Sequence, residues 1–265
     1  MGLFVDEILI IVEGAKTETK FFKRLTQFKE NTVYTVSYNN NIYNLYECIK
    51  SYESDDTIRT LIYGENNNIS DEDKKLLKEK KDVIQYIYLV FDFDYQNCKH
   101  LKNIEEELNK ILKLTEYFSN EADMKGKLLI NYPMMESYKD LSEFDDLSYL
   151  DAFIQTDFET LSHYKKDVSK RGIKKDILSY RKYDFYEIAK LNLMKINKLL
   201  FNKDKIPTKD QYFRTENFSQ LNIYKKQLEL LKNDKKIAII NSAILIFVDL
   251  YPSMLKNISK GKKES

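Results

Sequence analysis

Five apolar residues in a row, Ile8-Leu9-Ile10-Ile11-Val12, end abruptly at Glu13-Gly14. A run without polar alternation suits a strand covered on both faces, the situation of a strand inside a parallel sheet. A second such segment, Val83 to Phe91, ends at Asp92-Phe93-Asp94. Between and after them, helical and extended patterns alternate. Thr17 to Gln27 places Phe21, Phe22 and Leu25 at helical spacing, with Thr17 as a candidate cap. Thr32 to Ser37 reads as a strand, Ile42 to Tyr52 as a helix and Asn66 to Asp73 as an exposed loop. Asn103 to Phe118 reads as an amphipathic helix, and Leu128-Leu129-Ile130 as a short strand closed by Asn131-Tyr132-Pro133.

That alternation predicts an α/β fold with a small, parallel, doubly wound sheet over residues 1–140. The remainder, 141–265, predicts an all-helical domain or extension packed on the sheet. Short helices are expected from Met134 to Tyr164, and longer ones over Lys174 to Leu200, Thr208 to Leu231 and Lys236 to Leu250.

Composition narrows the class. With 43% apolar residues in 265, the chain can bury a sizeable core. The net charge of +1 gives no global field for a polyanion, so any nucleic-acid surface must be local. Abundant Lys, Asn, Ile and Tyr follow from an AT-rich genome as readily as from function. Cys48 and Cys98 cannot staple a fold of this size. The apolar stretch Ile237 to Val248 contains Asn241 and Ser242 and falls short of the roughly 20 residues of a membrane span. No signal peptide is apparent, so the expectation is a cytoplasmic protein without membrane partners.

Glu13, Asp92 and Asp94 all fall where strands end, and open α/β sheets bind ligands outside the carboxyl ends of their strands. Carboxylates gathered at one spot repel unless a cation neutralises them, and an all-oxygen set selects Mg²⁺ or Mn²⁺ over zinc. In the second half, acidic residues crowd Glu136 to Glu159. Lys165, Lys166, Lys170, Arg171, Lys174, Lys175, Arg181 and Lys182 then form a basic strip interleaved with Tyr164, Tyr180 and Tyr183. Cations for phosphates and rings for bases are what a strand-tracking surface needs, although a solvated helix face reads the same way. There is no Gly-x-x-x-x-Gly-Lys-Ser/Thr, no zinc-type set around His100 or His163, and no nucleophile elbow.

Glu13-Gly14-Ala15-Lys16-Thr17-Glu18 after one buried strand, with Asp92-Phe93-Asp94 after another, resembles the Toprim domain. The form of the first motif, followed by Phe21-Phe22, looks most like the RloB-like, OLD-type and abortive-infection nuclease branch. Asn131-Tyr132-Pro133-Met134-Met135-Glu136 is similar to the element that follows the last core strand there, with Tyr132 inserted between Asn131 and Pro133. The resemblance covers about residues 5 to 140.

It implies a Mg²⁺- or Mn²⁺-dependent nuclease acting on DNA or RNA. Glu13 would be a general acid/base or metal-proximal carboxylate, and Asp92 and Asp94 metal ligands. Glu18 and Glu136 would complete a second metal position, and Lys16 would face a phosphate. It further implies an anti-phage setting and a separate ATPase partner, with homo-oligomer formation left open. A primase-type nucleotidyl transferase, and a binding module with a vestigial acidic edge, are the alternatives.

Overall fold

The structure is a computed structural model, and the residues described are 6–52, 54–98, 103–119, 125–213 and 218–255. His100 and the tail lysines Lys256, Lys260, Lys262 and Lys263 lie outside them, as does the Cys98 side chain.

Four parallel strands form the central sheet: β1 (Glu7–Val12), β2 (Thr32–Ser37), β3 (Tyr86–Asp92) and β4 (Lys127–Asn131). Their order is β2-β1-β3-β4. Ile8 through Val12 are at most 1% exposed, as a strand covered on both faces requires. The chain leaves β1 towards β2 on one side, and leaves β3 towards β4 on the other. Right-handed crossovers then place α1 (Thr17–Thr26) on one face. They place α2 (Ile42–Ser51) and α6 (Ile104–Tyr117) on the other, with α3 (Thr57–Tyr63), α4 (Asp71–Lys80) and α5 (Tyr95–Cys98) in the connections. The winding therefore reverses between the carboxyl ends of β1 and β3, where a crevice opens in such sheets.

Helices α3 and α4 were not expected. Only Leu77 of α4 is buried, so no apolar stripe marks it, although Ser70 caps it through the Asp73 N–H at 3.1 Å.

The second half is mainly helical, with α7 (Phe158–Arg171), α8 (Lys182–Phe201), α9 (Lys209–Phe213), α10 (Gln220–Asp234) and α11 (Leu245–Leu250). It is not all-helical. β5 (Phe153–Gln155) and β6 (Lys236–Ala238) pair antiparallel, and Ile240 exchanges backbone hydrogen bonds with Tyr132 at 2.8 and 2.9 Å. The Lys236 to Leu250 segment is thus strand, 3₁₀ turn and short helix instead of one helix. Gln227 receives the Ala238 N–H and donates to its carbonyl, both at 2.8 Å, and Asn241 caps the turn through the Ile244 N–H at 3.1 Å. Likewise Lys174 to Leu200 is not continuous. Asp176 caps a 3₁₀ turn through the Leu178 N–H at 2.8 Å, and Asp184 restarts the helix by accepting the Arg181 N–H at 2.6 Å.

This half covers the sheet helices. Phe185 of α8 packs on Phe21 of α1 with centroids 5.7 Å apart, and the Tyr224 hydroxyl of α10 donates to the Leu108 carbonyl of α6 at 2.7 Å. Among the described residues no helix is long and apolar enough to cross a membrane.

Lys195 of α8 is 1% exposed. Its ammonium donates to the carbonyls of Tyr149, at 2.8 Å, and Ala152, and lies 4.3 Å from the Tyr149 ring centroid. Burial pushes its pKa down to about 7, against the pull of Asp140 and Asp151. An unfolded lysine titrates near 10.4, so the unfolded chain holds the extra proton between those values. Stability therefore rises with pH across about 7 to 10, by at most about 1.4 kcal/mol per unit, and the penalty is complete below 7. Denaturant midpoints measured across that range should climb in the wild type and stay flat for this contribution in Lys195→Met.

Candidate active site at the sheet switch point

Glu13 is the first residue beyond β1, held in place when its N–H donates to the Val90 carbonyl at 3.1 Å. Its carboxylate accepts the Asp92 N–H at 3.0 Å, so it bridges the ends of β1 and β3. Burial raises its pKa well above the usual carboxylate range, the negative charges of Asp92, Asp94 and Glu18 push it further, and the Asp92 N–H opposes the shift.

Asp92 ends β3. Burial raises its pKa as well, opposed by the Met135 N–H and the Asn131 amide, with Glu18 and Glu136 adding to the rise. Asp94 adopts φ +43°, a left-handed conformation that non-glycine residues rarely take and that concentrates at functional turns. In extended chain, residues two apart point the same way, but here a tight turn separates Asp92 from Asp94, and the Asp94 N–H reaches the Pro133 carbonyl at 3.4 Å.

Two more carboxylates close in from neighbouring elements. Glu18, in the first turn of α1, lies over Gly14, where an added Cβ would come within 3.3 Å of its Oε1. Glycine at that position lets the carboxylate sit against backbone. Burial raises the Glu18 pKa; the N–H groups of Glu18 and Thr17 oppose the rise, Glu136 adds to it, and Lys165 opposes it. Glu136, 4% exposed, sits in the 3₁₀ turn Met135–Lys139 and pairs with Lys165 of α7. Burial works against the Lys165 charge, but Glu136, with Glu18 and Asp92 beyond, raises its pKa overall. Glu13, Glu18, Asp92, Asp94 and Glu136 are thus linked electrostatically at one edge of the sheet. As placed, no three carboxylate, imidazole or thiol groups among the described residues are gathered to hold one ion.

The basic strip divides. Arg171 makes a two-pronged contact with buried Asp140 at 2.8 and 2.7 Å, and Lys175 pairs with buried Asp184. Lys174 donates to the Ser169 and Lys170 carbonyls, capping α7. Arg181 lies 3.8 Å from Asp184, and Lys182 sits 4.2 Å from the Tyr251 ring centroid. Lys166 and Lys170 face outward on α7, Lys170 with Asp167 at 3.9 Å, and Lys16 is exposed before α1. Tyr164 and Tyr180 are at most 1% exposed and belong to the core, so neither can stack on a base; of the three tyrosines only Tyr183 is exposed. For Tyr164 the helical spacing with Leu161 and Val168 carried that information; Tyr180 lies between a 3₁₀ turn and α8, where no such spacing marks it.

Sequence reasoning undervalued the asparagines. Asn131 is fully buried; its amide donates to Asp92 Oδ1 at 3.2 Å, and its carbonyl accepts the Ala243 N–H at 3.1 Å. Asn241 donates to the Met135 carbonyl at 2.9 Å and Ser137 Oγ at 3.2 Å, and its own N–H reaches Asn192 at 2.8 Å. The second half therefore holds the turn that carries Glu136. The available signal was Asn241 standing inside an apolar run.

No family model matches the chain, and neither the curated proteins nor the solved structures include a significant match.

Proposed function

We propose that this edge is the divalent-metal site of a Toprim-type phosphodiesterase, a nuclease of DNA or RNA. The observation that carries the reading is the electrostatic linkage of five carboxylates at the winding reversal, with burial and mutual repulsion raising the pKa values of Glu13, Asp92 and Glu18; as placed no three of them share one ion, so a bound cation would draw them together. A buried, like-charged set of this kind is costly unless something neutralises it, and its donors are all hard oxygens. They suit Mg²⁺ or Mn²⁺, with water completing the shell: Glu13, Asp92 and Asp94 would hold one ion, and Glu18 and Glu136 a second. Such ions activate water and stabilise the leaving oxygen of a phosphodiester. Within the chain, Glu13 is oriented by the Asp92 N–H to exchange a proton at the reacting centre, and Asn131 orients Asp92. An anti-phage role beside a separate ATPase is part of the proposal through the motif resemblance alone.

Purified protein incubated with Mg²⁺ or Mn²⁺ should cleave single-stranded or duplex DNA, RNA or tRNA. Sequencing of nucleic-acid ends after induced expression should find the same cuts in cells. Glu13→Ala should lower the rate by about 10²–10⁴-fold. Cleavage that persists in Glu13→Ala, or that proceeds equally in chelator, overturns the assignment.

One observation favours a second reading, a binding module with a vestigial edge. The Glu136–Lys165 pair and the Glu13–Asp92 N–H contact already engage carboxylates that metal would need. Such a module would bind its ligand without any divalent cation.

A further inference from the structure

The three elements that deliver carboxylates and Lys165 also build a basic cleft of about 370 Å³ beside them. Its charged rim is Lys16, Lys20, Lys139, Lys174 and Lys175 against Asp176. Tyr138, Ile173 and Ile177 supply its apolar wall. Lys175 is spent on Asp184 and Lys174 on the end of α7. Lys16, Lys20 and Lys139 have no ion pair or side-chain hydrogen bond among the described residues.

Three lysines gathered with no ion pair of their own among the described residues suit a polyanion. Lys139 is also held from beneath, since its carbonyl accepts the Ile173 N–H at 3.0 Å. Gly172 lies so close that an added Cβ would collide with that same carbonyl.

Adjacency to the acidic edge is fixed by helical geometry. Glu18 belongs to the acidic cluster, and Lys16, Thr17 and Lys20 of the same turn line the cleft. Glu136 pairs with Lys165, while Lys139 of the same 3₁₀ turn faces the cleft. Lys165 and the cleft residue Ser169 lie four residues apart on α7, a rise of about 6 Å. A phosphate in the cleft would therefore lie beside the carboxylates, about one helical turn along α7. The cleft volume is at the small end of the roughly 300–1,000 Å³ range of ligand sites and admits one nucleotide, and its apolar wall suits an unpaired base, which a duplex keeps inside its stack.

We propose that this cleft seats a backbone phosphate of a single nucleic-acid strand and so delivers the neighbouring phosphodiester to the carboxylate edge. This rests on the phosphodiesterase reading for its purpose, but its binding test does not depend on cleavage.

The test is fluorescence anisotropy with a short fluorescein-labelled single strand, as DNA and as RNA, in chelator, with the full chain. The combined variant Lys16→Glu, Lys20→Glu, Lys139→Glu should weaken binding at least tenfold. The milder Lys→Gln triple should reduce the salt slope by about 2, three contacts at about 0.7 each on a single strand. Reversal of Lys166 and Lys170 on the outer face of α7 should change affinity less than threefold. Matched melting curves for the Lys→Gln triple confirm the fold.

Equal binding by wild type and both cleft variants overturns the proposal, as does an equal loss from the α7 control. A blunt duplex bound as tightly as the single strand, or displacement of the strand only by a free nucleoside triphosphate and never by unlabelled strand, overturns the single-strand assignment. Wild-type strand binding with no cleavage in any metal would leave the cleft standing and remove the catalytic reading.

Discussion

Glu13→Gln should melt at a higher temperature than wild type in metal-free buffer, and should lose most of the stabilisation that Mg²⁺ confers on wild type. Glutamine keeps an oxygen for the Asp92 N–H and removes the charge that Asp92, Asp94 and Glu18 repel. The pH dependence has a definite sign. A carboxyl whose folded pKa is raised contributes stability below its unfolded value, near 4, and loses it as pH rises through the folded value. Metal-free wild type should therefore soften from pH 4 upward, and Glu13→Gln should soften less. Saturating Mg²⁺ should restore wild type by mass action, about 2.7 kcal/mol at a hundredfold excess over Kd, or roughly 5–10 °C. Differential scanning fluorimetry with and without chelator reads both changes. A Glu13→Gln protein that melts below wild type without metal would show that the glutamate is a structural bridge and not a repelled ligand.

Asn131→Ala should be among the most damaging single substitutions. It removes a donor to Asp92 and an acceptor for the Ala243 N–H, and leaves both partners buried without replacements. At about 1–3 kcal/mol for each group left unpaired, the loss is about 2–6 kcal/mol. Asp92 would also lose one of the two hydrogen bonds that oppose its raised pKa, so metal affinity should fall with stability. Asn131→Asp separates the two effects. It can still accept from Ala243 but sets another carboxylate against Asp92, so its stability should recover in part at low pH and with Mg²⁺. Urea titrations with and without Mg²⁺ measure this, and an Asn131→Ala midpoint within error of wild type would remove Asn131 from the site.

The parts of this molecule that were legible in its sequence are those in which one local pattern decides the outcome. β1 and β3 are largely apolar runs, and Glu13 and Asp92 mark where those runs end. α6 is amphipathic over its whole length. Elements shaped by distant partners were not legible. α3 and α4 lack an apolar stripe. β5 and β6 are three residues each, held by their pairing with each other, by Gln227 on Ala238 and by the Tyr132–Ile240 bridge just beyond β6. The basic strip misled in its aromatic part, because charge and ring counts along the chain do not separate an outward Tyr183 from inward Tyr164 and Tyr180. The cleft could not be read at all, since Lys16, Lys20 and Lys139 meet Ser169, Ile173 and Ile177 only after the second half folds against α1.

The central claim is that the gathered carboxylates bind a divalent cation. Mn²⁺ titrated into excess protein and followed by electron paramagnetic resonance tests it without need of substrate, partner or trigger. The account predicts that the free-Mn²⁺ signal is quenched in wild type, returns when Mg²⁺ competes, and persists in Asp92→Asn and Glu13→Gln. A free signal of full amplitude in wild type, or equal quenching in all three proteins, would contradict it.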